Sequence, residues 1–249
     1  MEAEKIVLPN GSSASLAANH TLTDTKDAQV KMVPVPAPAT NVIVFLIGGA
    51  GDKKRFLGSG PNGNIAPLQG ELQNFSLHAL KPEQRPNFSV EYKGYYEAFE
   101  DTRIAENFIS VIPSKRSIIY LIGHSLGGWN GAHLSRILTD KGYNVKMLIT
   151  LDPVGQNWIL ERSSKIYDDE PSPKAKQWIN VYARPSSRNF TDVVAWAGSK
   201  WEITSGPQVN ISIDTNHAEA PQLMFRRPES GAASAYELLT KDIIEEFSR

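Results

Sequence analysis

A mostly parallel β-sheet with helices on both faces is the architecture expected of this chain, and three observations carry that expectation. Short β-branched apolar runs recur between residues 42 and 213, separated by stretches of helical spacing and turn-forming residues. One of these runs passes straight into Gly123-His124-Ser125-Leu126-Gly127 and then into a helical pattern, a strand–turn–helix unit. At 249 residues, 41% apolar and 21% charged, the chain is long enough for one domain with a full core.

Composition excludes several classes. A net charge of -1 gives no electrostatic case for nucleic acid, and none is expected as a partner. With no cysteine there is no disulfide, thiol chemistry or Cys-ligated metal. No apolar run reaches the ~20 residues of a membrane span. The start, Met1 to Pro9, lacks the basic region and apolar core of a signal peptide. A cytoplasmic protein, or one exported by a leaderless route as some bacterial effectors are, fits those features.

In chain order, residues 1–40 read as an extended or partly disordered lead-in, with one short strand near 28–33. Val33-Pro34-Val35-Pro36 cannot donate a regular ladder of hydrogen bonds. Residues 41–249 read as a single domain. Val42 to Ile47 is a buried strand, followed by Gly48-Gly49-Ala50-Gly51. Leu68, Leu72, Phe75 and Ala79 then fall at helical spacing after Pro67, a favoured first helical residue. Phe88 to Tyr92 is a short strand, and Ala98, Ala105, Phe108, Ile109 and Ile112 predict a helix stopped by Pro113. The run from Ser117 to Ile122 is the strand that enters the Ser125 turn, and Trp129, Leu134, Ile137 and Leu138 mark the helix that leaves it. Further strands follow at 145–151, 178–183 and 209–213, with an insertion at 185–208 and a C-terminal amphipathic helix carrying Tyr236, Leu239, Ile243, Ile244 and Phe247.

Gly-His-Ser-Leu-Gly between a strand and a helix is the G-x-S-x-G nucleophile elbow in its required context. The sharp turn strains the serine backbone, and the flanking glycines avoid the clash that larger residues would make. Here the chain resembles the serine lipases and esterases of the α/β-hydrolase superfamily, in which Gly-His-Ser-Leu-Gly-Gly is a frequent form of the elbow. That resemblance implies the α/β-hydrolase fold, a nucleophilic Ser125, and partners in the chain order Ser, Asp or Glu, then His. Of the five histidines, His20 and His78 precede the elbow, His124 lies inside it and His133 is on the elbow helix. His217, after the last strand, is left as the base.

Asp152 ends the strand after the elbow, where catalytic groups gather in such sheets. Leu151-Asp152-Pro153 is similar to the acid site of pancreatic-type lipases. Many relatives place the acid one strand later, which would favour Asp192, and Asp214 is a third alternative. The resemblance implies an oxyanion hole from the backbone N–H of Leu126 and one from the loop after the first strand, at Gly49 or Ala50. That loop lacks the His-Gly form of the family. It also lacks the patterns of a phosphate-cradling loop.

Three segments are candidates for a substrate pocket or lid: residues 53–63 with Phe56 and Leu57, the stretch holding Trp158, and the insertion holding Trp196 and Trp201. Apolar residues rimming a site suit a lipid or acyl ester and peripheral contact with a membrane surface. Ordinary burial of the tryptophans is the alternative. The expectation is therefore a lipase or phospholipase using Ser125, His217 and Asp152 through an acyl-enzyme, with no metal or organic cofactor. A thioesterase or acyltransferase shares every catalytic part. A non-catalytic interaction protein on the same scaffold is the reading from another class.

Overall fold

The computed structural model describes residues 40–56, 58–155 and 164–249, and the backbone of Ile6–Val7 and Ser13–Ala14. The chain divides into two units, Met1–Pro38 and Ala39–Arg249. Within the first, Ile6–Val7 pairs antiparallel with Ser13–Ala14. The strand expected near 28–33 lies outside the described residues, as do Leu57 and Trp158.

The second unit is built on a six-stranded sheet. Its strands are β1 (Val42–Gly48), β2 (Phe88–Gly94), β3 (Ile118–His124), β4 (Asn144–Leu151), β5 (Gln177–Ala183) and β6 (Val209–Ile213). They run in the spatial order β2-β1-β3-β4-β5-β6, and every neighbouring pair is parallel. All carboxyl ends therefore open on one edge. All residues of β1 and β3 are buried, which is why they read as continuous apolar runs.

Successive side chains leave the sheet on opposite faces. Val42, Val44, Leu46, Tyr120 and Ile122 pack with Leu68 and Leu72 of α1 (Pro67–Ala79), Leu223 of α5 (Ala220–Phe225), and Leu239 and Ile243 of α6 (Ala235–Phe247). Ile43, Phe45, Ile119 and Leu121 pack with Ile104 of α2 (Asp101–Asn107) and with Leu134 and Leu138 of α3 (Leu126–Asp140). Helices thus cover both faces. None among the described residues is long and apolar enough to cross a membrane.

Two stretches differ from expectation. The helix predicted over 98–112 is broken into a 3₁₀ turn at Tyr95–Ala98, then α2, then a second 3₁₀ turn at Ile109–Val111. Glu100 between the first two stands at φ 68, which ends any continuous helix, while Glu97 turns back to accept from the Gly94 N–H at 2.5 Å. The insertion after β5 contains a helix, α4 (Phe190–Ala197), capped by Asn189, whose side chain accepts from Thr191 N–H and Asp192 N–H.

Candidate active site

Ser125 is the N-cap of α3 and holds φ 56 and ψ -126, a conformation ordinarily reserved for glycine. The turn exists because its neighbours are small. A Cβ on Gly123 would strike the Gly127 carbonyl, and one on Gly127 would strike the Ile47 carbonyl of β1. The first helical turn can therefore press against two strands and leave the Ser125 hydroxyl at the carboxyl edge of the sheet.

His217 follows β6, and its imidazole bridges two groups. Its Nδ1–H donates to Asp152 Oδ2 at 2.6 Å, which leaves Nε2 to accept from the Ser125 hydroxyl at 3.0 Å. Asp152 follows directly on β4 and is fully buried. Its Oδ1 accepts from Ala183 N–H at 3.0 Å and from Lys200 Nζ at 3.1 Å, and Lys200 also reaches Oδ2 at 2.8 Å. Burial alone would raise the Asp152 carboxyl. The hydrogen bond and charge of His217, followed by Lys200, outweigh it and hold the group below the usual carboxylate range.

Of the carboxylates weighed as the partner of His217, only Asp152 meets the ring. Asp192, on α4, accepts instead from the main-chain N–H of His217 at 2.8 Å and from Asn216 Nδ2 at 2.6 Å. Burial raises its carboxyl, but those donors and the Asn189 N–H lower it below the ordinary value. Two carboxylates thus hold one histidine, one by its ring and one by its backbone. Asp214 is exposed and accepts from Ser186 N–H at 2.7 Å.

His124 is closer to the site than the sequence suggested. Its ring lies 4.9 Å from that of His217, and its Nε2–H donates to the His217 carbonyl at 2.7 Å. Complete burial drives its pKa down to about 3, so the ring is neutral and Nδ1 is a buried lone pair without a hydrogen-bond partner among the described residues. His133 is also buried and bonds the Asp169 carbonyl, away from these groups.

The loop after β1 packs directly on the serine. A Cβ on Gly49 would lie 2.6 Å from Ser125 Cβ and 3.1 Å from Ser125 Oγ. Leu126 N–H, in the first turn of α3, is one of the helix-end amides that have no acceptor inside the helix. Gly49 and the first-turn amide of Leu126 therefore flank Ser125.

The expected rim residues separate into distinct roles. Lys53 pairs with Glu97 at 2.8 Å, Lys54 lies over the Tyr96 ring at 4.5 Å, and Phe56 and Ser59 exchange backbone hydrogen bonds at 2.8 and 2.9 Å. Asn62 N–H donates to the Gly51 carbonyl at 2.8 Å, so this segment is tied to the scaffold at both ends. Trp201 is held mainly as a core residue, and its edge lines a shallow cavity with Trp178, Ile203 and Gln208. It is 2% exposed, stacks on Trp178 and meets Trp129 edge-on, because that sheet face needs a large apolar cover. Trp196 is 74% exposed and shares the outer side of α4 with Phe190, 79% exposed, and with Val193 and Val194. Among the described residues no cluster of three or more His, Asp or Glu is arranged to hold a metal.

Sequence reasoning gave no role to Lys200, which lies 48 residues from Asp152 in the chain and carries no motif.

An all-parallel sheet covered on both faces, with a strained serine on a strand-to-helix turn and Ser, Asp and His in that chain order, is the α/β-hydrolase fold. No family model matches the sequence, and no curated protein matches it. Among solved structures, the chain is similar to a type II thioesterase, YbtT, from the yersiniabactin biosynthetic pathway. The identity is 12% and the TM-score 0.42, over 85% of this chain and 96% of that one. It is also similar to a hyperthermophilic esterase from the archaeon Pyrobaculum calidifontis, with 13% identity and a TM-score of 0.34, over 86% of this chain and 79% of that one.

Proposed function

We propose that this protein is a serine hydrolase of carboxylic esters, and that its substrates are lipid esters of the lipase or phospholipase class. The observation that carries the reading is the continuous chain from Ser125 Oγ to His217 at 3.0 Å and from His217 to Asp152 at 2.6 Å. Ser125 attacks the ester carbonyl while His217 Nε2 takes its proton. Asp152 keeps the imidazole in the tautomer that can accept that proton and stabilises the imidazolium that forms. The oxyanion is received by Leu126 N–H and an amide of the Gly49–Ala50 turn, donors of a kind worth about 10²–10³ each in rate. His217 then protonates the leaving alkoxide, and water, activated by the same imidazole, releases the acid from Ser125.

The lipid class is supported by α4. Phe190, Val193, Val194 and Trp196 face solvent on the same helix whose Asp192 holds the His217 backbone. An apolar stripe of this kind suits contact with an aggregated lipid surface.

A fluorophosphonate should attach to the peptide containing Gly123–Gly128, and not in Ser125→Ala. Glycerophospholipid, triacylglycerol and acyl-thioester substrates, followed side by side by product mass spectrometry, test the class. Faster thioester cleavage would move the assignment to a thioesterase, and no labelling of Ser125 would leave the fold as a scaffold for binding.

A further inference from the structure

We propose that Lys200 is a positioning residue of this site: its ammonium clamps both oxygens of the Asp152 carboxylate and so fixes the orientation in which that carboxylate meets the His217 ring. The inference rests on the roles given above to Ser125, His217 and Asp152.

The clamp is built into the chain. Residues 199–201 are laid against the segment that follows Asp152 through an antiparallel bridge between Val154 and Lys200. Gly155 N–H donates to the Ser199 carbonyl at 3.1 Å, and Trp201 N–H to the Pro153 carbonyl at 2.9 Å. Trp201, buried in its aromatic stack, anchors the far side. The Lys200 side chain is only 15% exposed, and Nζ also donates to the Ala183 carbonyl at 3.2 Å. One ammonium thus binds both oxygens of the acid and the end of the next strand.

Among the described residues, the following charged or titratable groups face His217. Asp152 faces its ring from β4 and Lys200 faces Asp152 from the bridged segment. His124 faces the ring from β3 and is neutral, and Asp192 faces the backbone N–H from α4. An imidazolium therefore meets a carboxylate that is already paired. Nζ and Nδ1 contact the same Oδ2, at 2.8 and 2.6 Å. Without Lys200 the carboxylate keeps only Ala183 N–H and the imidazole, and it can turn from the orientation that receives Nδ1–H. A purely structural salt bridge would stabilise the fold without setting that orientation.

The test is the rate constant for phosphonylation of Ser125 by a fluorophosphonate across roughly pH 5 to 9, where a base's protonation limits attack. In that step Ser125 Oγ bonds phosphorus, fluoride leaves, and the hydroxyl proton passes to His217. It is measured for the wild-type chain, Lys200→Met, Lys200→Gln and Lys200→Arg, with thermal melts of each. The folded neutral variants should react at least about tenfold more slowly than wild type on the plateau of the profile, and Lys200→Arg should recover most of that loss. Neutral, folded variants whose rate constants match wild type overturn the inference. Should both neutral variants be unfolded at the assay temperature, the comparison is made below their melting points, and the same two outcomes decide it. Failure of wild-type Ser125 to react at any pH overturns the hydrolase reading instead.

Discussion

Replacing Asp152 by Asn keeps the volume and removes the charge at the point where four contacts converge. Oδ1 takes Ala183 N–H and Lys200, and Oδ2 takes His217 Nδ1–H and Lys200. Asparagine offers one acceptor and one donor in their place. With its oxygen left on Ala183 N–H, its amide faces the imidazole and selects the opposite tautomer. Nε2 then carries hydrogen toward Ser125 and cannot accept from it. The same change in a serine protease costs ~10⁴ in kcat. We expect a loss of about 10³–10⁴ here, equivalent to about 4–5.5 kcal/mol of transition-state stabilisation. Asp192→Asn keeps an oxygen for the His217 main-chain N–H, and Asp214→Asn touches neither group, so each should cost less than about tenfold. The assay is kcat on a soluble short-chain ester, with circular dichroism on all three variants. A folded Asp152→Asn enzyme with near-normal turnover, beside an inactive Asp192→Asn, would refute the reasoning and move the acid to Asp192.

Gly49→Ala would put a Cβ 2.6 Å from that of Ser125, displacing the turn proposed above to offer an oxyanion donor. A loss of about 10²–10³ in kcat with little change in KM is expected, read from steady-state kinetics. His124 is neutral in the folded protein, with its pKa lowered from 6.5 to about 3, so protonation favours the unfolded chain. Its contribution to stability is complete above pH 6.5 and should fall by about 1.4 kcal/mol per pH unit from there down to about pH 3. Urea unfolding of His124→Gln at several pH values should show a flatter dependence than wild type. Phe190→Ser with Trp196→Ser removes the two most exposed large apolar side chains of α4. Sedimentation with phospholipid vesicles and hydrolysis of vesicle lipid should fall at least several-fold, while turnover of a soluble ester stays within about twofold.

The strands were legible in the sequence because a parallel sheet covered on both sides buries every residue of its central members. Val42–Gly48 and Ile118–His124 are uniformly apolar for that reason. The elbow was legible because its glycines answer to close backbone contacts that no other residue permits. The three side chains that chain order brought forward meet in space, since each stands at or just beyond a strand's carboxyl end on one edge. Less visible were the elements whose pattern is inverted or short. Helix α4 spans eight residues and turns Phe190 and Trp196 outward, so it offers no inward stripe to recognise. Helix α5 is shorter still. The charges of α6 read as a solvated face, yet Asp242 accepts from the Tyr120 hydroxyl at 2.6 Å and Glu246 pairs with Lys146 at 2.7 Å. Pairings across 122 and 100 residues leave no local signature.

Strain and bracing explain why the site can hold this geometry. Ser125 at φ 56 and Asp152 at φ 41 are both in the left-handed region, at the ends of adjacent strands, and such residues cost on the order of 1–3 kcal/mol each. Each turn is held by the other. Ser125 N–H donates to the Leu151 carbonyl at 3.1 Å, just before Asp152, and Val154 N–H returns a bond to the Ser125 carbonyl at 3.2 Å. Asp152 N–H is taken by Val181 of β5 at 2.7 Å, and its side chain by Ala183 two residues on. Relaxing the Ser125 turn therefore requires breaking the Asp152 turn, and relaxing the Asp152 turn requires breaking its contacts with β5. The serine and the carboxylate never touch, yet their separation is fixed by backbone bonds rather than by rotamers. The imidazole between them needs only its own two anchors, Asp152 on the ring and Asp192 on the main chain, to stand where a proton can move.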